Sequence, residues 1–199
     1  MSRDFVSADA SDPIEVFLGW LAEAESTEIN DPNAAALATA TREGVPSVRM
    51  VLLKQVDARG FVFFTNAESQ KGRELKENPV AAMCFHWKTQ QRQVRLEGTV
   101  AELPGAEADA YFESRSRGSQ LGAAVSRQSQ PLESRDTLVE MVKECEVEFP
   151  GEIPRPDYWG GFVILPRRIE FWQQGADRLH DRMAFVRGAN GWVGTRLFP

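Results

Sequence analysis

Ile14, Phe17, Leu18 and Leu21 recur at three- and four-residue intervals, the spacing of one apolar face on a helix. Asp12-Pro13 precedes them and offers a capping carboxylate followed by a first-turn proline. The pattern predicts a helix over residues 13–25. Asp31-Pro32 breaks the chain, and from there the period shortens. Residues 34–41, 47–53 and 61–65 read as short strands, divided by the turn-forming Glu43-Gly44 and Asp57-Ala58-Arg59-Gly60. Residues 69–78 read as a helix closed by Asn78-Pro79. Strand character returns over 80–86 and 93–103, the second with Val94, Leu96, Gly98 and Val100 on one face. Helices are expected over 104–114 and 132–149, the latter lined by Leu138, Met141, Val142 and Cys145. A proline-rich connector, 150–156, leads into closing strands at 159–165, 168–172, 183–186 and 192–197, with a hairpin turn at 188–191.

Seven to nine short strands in mostly meander order, with helices inserted and no βαβ alternation, argue against a parallel sheet. The expected class is mainly β (α+β): a closed or partly closed antiparallel barrel with flanking helices, since closure removes exposed edges. The polar residues 1–11 read as a flexible arm and 12–199 as a single domain, a size that suits 199 residues.

Charge narrows the partners. The net charge of −6 disfavours non-specific binding to nucleic acid or an anionic membrane. Any bound anion must be held by a local cluster of cations. No apolar run reaches the roughly 18 residues of a membrane span. Cys84 and Cys145 form no CxxC pair, and with only His86 and His180 they make no metal set. Two free thiols without a secretory signal suit the cytoplasm. No GxSxG, P-loop or GxGxxG occurs.

Four clusters carry candidate chemistry. Along 49–54, alternation puts Arg49, Val51 and Leu53 on one face and Met50, Leu52 and Lys54 on the other. Such a strand serves two separate anionic groups, or is an edge strand with charged ends. Thr65 to Arg73 passes from a strand into a helix, with Ser69 and Lys71 beside free backbone N–H groups: a phosphate cradle, or plain helix capping. Tyr111 to Ser119 places Arg115 and hydroxyls in a glycine-containing loop, which suits a phosphate monoester or is a solvated basic loop. Trp172 to Arg182 crowds Arg178, His180 and Arg182 between strands. His180 reads as a proton carrier, a hydrogen-bond donor or a structural residue, and His86, beside Trp87, as packing. Phosphorylated ligands follow, and residue chemistry alone goes no further.

From Asp12 to Pro199 the sequence resembles the pyridoxamine 5′-phosphate oxidase family. The motifs are RMVLLK at 49–54, FFTN at 63–66, RQVRLEG at 92–98, YFESRSRGSQLGA at 111–123, WGGF at 159–162, IEFWQ at 169–173, RLHDR at 178–182 and the terminal RLFP. The resemblance implies an FMN-binding split barrel, a homodimer with flavin at the subunit interface, and oxidation of pyridoxamine or pyridoxine 5′-phosphate by O2. By matching position, Arg49 and Lys71 would hold the FMN phosphate, with Gln70 beside them. Met50, Val51, Leu52, Leu53 and Lys54, with Phe64 and Thr65, would run along the flavin. Gln93, Gln128, Ser129, Trp172 and Arg182 would complete its site, some from the second subunit. Lys54, Tyr111, Arg115 and Ser119 would clamp the substrate phosphate. Arg178 and His180 would sit over the pyridine ring as the catalytic pair, and Asp31 near the substrate.

The sequence departs from the family twice. Gln70 stands where the family usually has arginine, so weaker FMN retention is expected. Ser2-Arg3-Asp4-Phe5 lacks the tyrosine of the Arg-x-x-Tyr-like segment that closes over substrate in many members, and carries no assigned role. The alternatives are a flavin oxidase of another reduced aromatic, of the phenazine-biosynthesis type, and a non-catalytic flavin-binding module.

Overall fold

A computed structural model describes residues 5–10 and 12–199. Its frame is nine strands in one antiparallel sheet with five α-helices around it. The sheet order is β2 (Pro46–Leu52), β1 (Ala34–Ala40), β5 (Val80–Trp87), β6 (Arg92–Glu102), β7 (Trp159–Gln173), β4 (Phe61–Asn66) and β3 (Gln55–Val56). Because β4 precedes β5–β7 in the chain yet lies beside β7, the topology has a Greek-key crossing. β8 (Asp181–Gly188) and β9 (Gly191–Arg196) continue from the second half of β7.

The sheet curls into a half-barrel at Leu53-Lys54. These residues join β2, at one end of the order, to β3 at the other. Leu53 N–H donates to Asn33 O (2.9 Å) and Lys54 N–H to Val62 O (2.9 Å), so Lys54 sits where the two ends meet. The other organising strand is β7. The sequence pattern suggested two strands at 159–165 and 168–172, but one 15-residue strand runs through. Pro166 lacks an N–H for the ladder, and the register with β6 slips there, between Glu97 and Gly98. Gly98 is required at this bulge: a Cβ would meet Leu165 O at 2.1 Å.

The inward faces of the strands and one side of helix α1 (Pro13–Thr27) make the main core. Asp12 caps α1 by accepting from Ile14 N–H, worth ~1 kcal/mol. Phe17 then inserts between Phe61 (4.8 Å) and Phe85 (4.9 Å). Val6 is also buried here, with Arg196 over the Phe5 ring. Residues 1–4 and 11, part of the expected arm, lie outside the described residues. His86 is exposed, not packed. Alternation turns it outward and gives the buried place to Trp87, whose Nε1–H donates to Pro32 O.

A second core lies under α3 (Gly105–Glu113), α4 (Arg117–Val125) and α5 (Arg135–Glu148), built from Phe112, Leu121, Cys145, Ile153 and Trp159. Helix α4 corrects the expectation of a loop around Arg115. Only Ser114, Arg115 and Ser116 separate α3 from α4. The serines and glycines of 116–122 masked a helix held by Leu121 in the second core and by Gln120, whose Nε2–H donates to Phe112 O.

The outward sheet face has a different character. Val48, Met50 and Leu52 are exposed there, paired with Ala38, Ala36 and Ala34, which in turn neighbour Ala82 and Cys84. Small side chains leave this face flat and apolar.

Candidate active site

Where the two sheet ends meet, a cavity of about 680 Å³ opens between β2, β4 and the α3–α4 turn. Its wall includes Met50, Val51, Leu52, Lys54, Phe64, Thr65, Lys71, Tyr111, Arg115, Ser119 and Gln128. All but Phe64 and Gln128 come from three of the four sequence clusters. One side is an aromatic stack: the Phe64 ring centre lies 4.0 Å from that of Tyr111 and 5.5 Å from that of Trp159, its plane nearly parallel to both.

Two cationic centres face this cavity. Lys71, on the first turn of α2 (Gln70–Glu77), is 7% exposed. Its Nζ donates to Thr65 Oγ1 (3.1 Å), Ser69 Oγ (3.1 Å) and Gln128 Oε1 (2.6 Å), all neutral oxygens. Burial, and repulsion from Arg49, lower its pKa to about 8. Gly72 behind it lets α2 dock, since a Cβ would meet Ala67 O at 2.3 Å. Arg115 is the second centre. Its guanidinium lies 4.8 Å over the Trp159 ring, and burial lowers its pKa. Its Nη1 is buried with no hydrogen-bond partner. An orphaned guanidinium N–H is costly unless an anion completes it. Lys54 Nζ approaches the Tyr111 ring at 6.0 Å, and Ser119 shares a hydrogen bond with Ser116.

Other expected site residues lie outside this wall. Arg49 turns toward β1 and α2, donating to Thr39 Oγ1 and Ser47 Oγ (both 2.5 Å). Gln70 donates to Glu74 (2.9 Å), and Leu53 is in the core. Ser129, at φ 72°, lines a neighbouring cavity with Gln128. Asp31, at φ 31°, lines a cavity of about 610 Å³ shared with Met50, Cys84 and His86.

Gln93, Trp172 and Arg182 form a row across β6, β7 and β8, each opposite the next in register. The row is on the outward face, and none of the three lines the main cavity. His180 packs on Trp172 at 4.7 Å, and its Nδ1 accepts from Gly175 N–H at 3.2 Å. That bond leaves the proton of a neutral ring on Nε2. Asp177 and Arg178 both adopt left-handed φ, 51° and 62°, in a short 3₁₀ turn that thrusts Arg178 into solvent.

Residues without an assigned role prove structurally central. Glu170, 2% exposed, receives Arg182 on Oε1 (2.7 and 2.9 Å) and Arg95 on Oε2 (2.5 Å). Burial opposes its ionisation, yet these arginines hold its pKa below the usual carboxylate value. The signal was a lone acid at an alternating position inside IEFWQ. Thr39 and Glu74 gave a similar signal, as polar residues at buried positions of an alanine-rich strand and a short helix. Among the described residues no His, Cys, Asp and Glu group could hold a metal, and no helix is long and apolar enough to cross a membrane.

Fold and cavity together define a half-barrel protein whose cavity sets two cationic side chains against an aromatic and apolar wall. The comparisons with known proteins give that class a family. The profile described as "Pyridoxamine 5'-phosphate oxidase" matches residues 21–148, and "Pyridoxine 5'-phosphate oxidase C-terminal dimerisation region" matches 159–199. The chain is 56% identical over 190 residues to a pyridoxine/pyridoxamine 5′-phosphate oxidase of Gluconobacter oxydans, covering 95% of each. It is 53% identical to that of Brucella anthropi, covering 100% of this chain and 98% of the relative. Among solved structures, PhzG from Burkholderia lata, in complex with tetrahydrophenazine-1-carboxylic acid, superposes with a TM-score of 0.93 at 34% identity, covering 100% of this chain and 98% of that one. An FMN-binding protein from Nostoc punctiforme shares the fold at a TM-score of 0.78 and 14% identity, covering 94% and 98%. The chain belongs to the pyridoxamine 5′-phosphate oxidase family. It is an oxidase, a homodimer, and uses FMN.

Proposed function

We propose that the protein oxidises pyridoxamine 5′-phosphate or pyridoxine 5′-phosphate to pyridoxal 5′-phosphate, with dioxygen as acceptor, releasing hydrogen peroxide and, from the amine, ammonia. The carrying observation is one cavity with two cations, Lys71 buried and Arg115 half-buried, that lack charged hydrogen-bond partners. Two such centres suit two phosphate esters lying side by side, one on the cofactor and one on the substrate.

FMN, when bound, accepts the hydride from the substrate's C4′ and returns the electrons to dioxygen. Lys71, with Thr65 and Gln128 around it, and Arg49, close enough that its charge lowers the Lys71 pKa, would hold the flavin phosphate, and Met50, Val51 and Leu52 would border the ring. Lys54, Tyr111, Arg115 and Ser119 would clamp the substrate phosphate. A charge-assisted hydrogen bond of this kind contributes ~1.5–3 kcal/mol, and binding remote from the reacting carbon positions that carbon. Arg178 and His180 would approach the substrate ring, His180 donating from Nε2 while Gly175 occupies Nδ1. In one chain these two residues, with Gln93, Trp172 and Arg182, lie away from the cavity wall. The reading therefore brings them from the second copy, with FMN at the interface. Two free thiols suit a cytoplasmic setting.

A second reading, oxidation of another reduced aromatic, has the likeness to PhzG behind it. The phosphate-monoester clamp around Arg115 favours the first. Anaerobic addition of pyridoxamine 5′-phosphate to the purified yellow protein should bleach the flavin, and admission of air should yield peroxide and aldehyde. A flavin that stays oxidised with this substrate, yet bleaches with a reduced phenazine carboxylate, would give the site to the second reading.

A further inference from the structure

Behind Lys71 lies a buried acid that none of the roles above uses. Glu74, one helical turn on from Gln70, is 5% exposed. Its Oε2 accepts from Ser47 Oγ (2.6 Å) and from Thr39 Oγ1, and its Oε1 from Gln70 Nε2 (2.9 Å). Burial opposes ionisation, but the bonds from Ser47, Thr39 and Gln70, and the charge of Arg49, hold its pKa below the usual value. Glu74 is therefore a carboxylate, able only to accept.

This fixes the direction of every proton around it. Ser47 and Thr39 each have one hydroxyl proton, and each gives it to Glu74. Their lone pairs are left facing Arg49, whose Nη1 donates to Thr39 Oγ1 and Nη2 to Ser47 Oγ, both at 2.5 Å. The direct contact from Arg49 Nη2 to Glu74 Oε2 is longer, 3.4 Å. The carboxylate thus grips the guanidinium mainly through two oriented hydroxyls, across β1, β2 and α2.

We infer that Glu74 is a positioning residue for the flavin phosphate: through Thr39 and Ser47 it holds Arg49 beside Lys71, so that both cations meet the ester together. The inference rests on the assignment of Lys71 and Arg49 to that phosphate. A carboxylate this close also repels a dianion. Positioning outweighs repulsion because an unsupported arginine would scatter among solvent-facing rotamers.

The test separates phosphate binding from ring binding. The full-length chain, freed of flavin, is titrated at neutral pH with FMN and with riboflavin, which lacks the phosphate, following flavin fluorescence. Melting temperatures are recorded alongside. Glu74→Gln should weaken FMN about tenfold, the loss of roughly one charged hydrogen bond, and move riboflavin less than twofold. Ser47→Ala, a milder change that serves if Glu74→Gln fails to fold, should shift the FMN-to-riboflavin ratio in the same direction. Equal loss for both flavins, or tighter FMN binding in Glu74→Gln, overturns the inference. Lys71→Ala is the control: if it leaves the ratio unchanged, the phosphate assignment itself falls, and the role of Glu74 with it.

Discussion

On the proposed assignment, Lys71 makes flavin binding sensitive to pH. Burial lowers its pKa from 10.5 to about 8, so the free site loses its charge as pH rises through that value. A bound phosphate favours the ammonium, and above pH 8 binding must take up a proton. FMN affinity is therefore expected to be flat between pH 6.5 and 7.5 and to fall by up to about tenfold per unit above 8. Riboflavin affinity should not follow it, and parallel titrations at pH 7 and 9 make the comparison. At Arg115 the exposed quantity is substrate binding. Arg115→Ala should raise KM for pyridoxamine 5′-phosphate by about 10–100-fold, from the ~1.5–3 kcal/mol of a charged hydrogen bond, and steady-state kinetics give the number. The sequence made these cations visible because their neighbours are hydroxyls, turn residues and aromatics. It marked Glu74 and Glu170 only as polar residues out of pattern and concealed what they do, which comes from partners 27 and 75 residues away. No local spacing encodes such pairs.

Regular elements were legible wherever one face is apolar. Helix α1 and strands β1, β4, β5 and β6 lie within two residues of the pattern-based bounds. Two elements were misjudged for physical reasons. Helix α4 has a weak apolar face, because its turns are filled with serine and glycine and its support comes from the second core. β7 was divided at Pro166, a residue the strand accommodates by a bulge. The loop between β7 and β8 depends on Gly175, where a Cβ would meet Leu179 O at 1.9 Å. Gly175→Ala should dislodge the His180 Nδ1 bond and cut kcat at least about tenfold, the cost of a misplaced catalytic group. Its circular dichroism spectrum should stay that of the parent, since the loop lies outside both cores. Unchanged turnover would mean that the loop reshapes without consequence.

At the scale of the molecule, the half-barrel was foreseeable from many short strands with turn signals, but its closure was not. Closure depends on Leu53-Lys54 joining opposite ends of the sheet, which only the three-dimensional pairing reveals. On the proposed reading, the flat outward face meets the second copy of the homodimer. Val48, 68% exposed, lies within it. Val48→Asp would force an unpaired charge into that contact, costing several kcal/mol, and should yield monomers by light scattering, with loss of flavin. The separation of the Arg115 cavity from the Arg178 loop within one chain has a genetic counterpart. Assayed at substrate far below the raised KM, Arg115→Ala and Arg178→Ala would each cripple both centres of a pure assembly. Unfolded together and refolded as a mixture, they should form hybrids in which one centre collects both lesions and its twin escapes intact. Random pairing would then restore roughly a quarter of the parental rate. A protein whose centres were each built from a single polypeptide would show no such complementation.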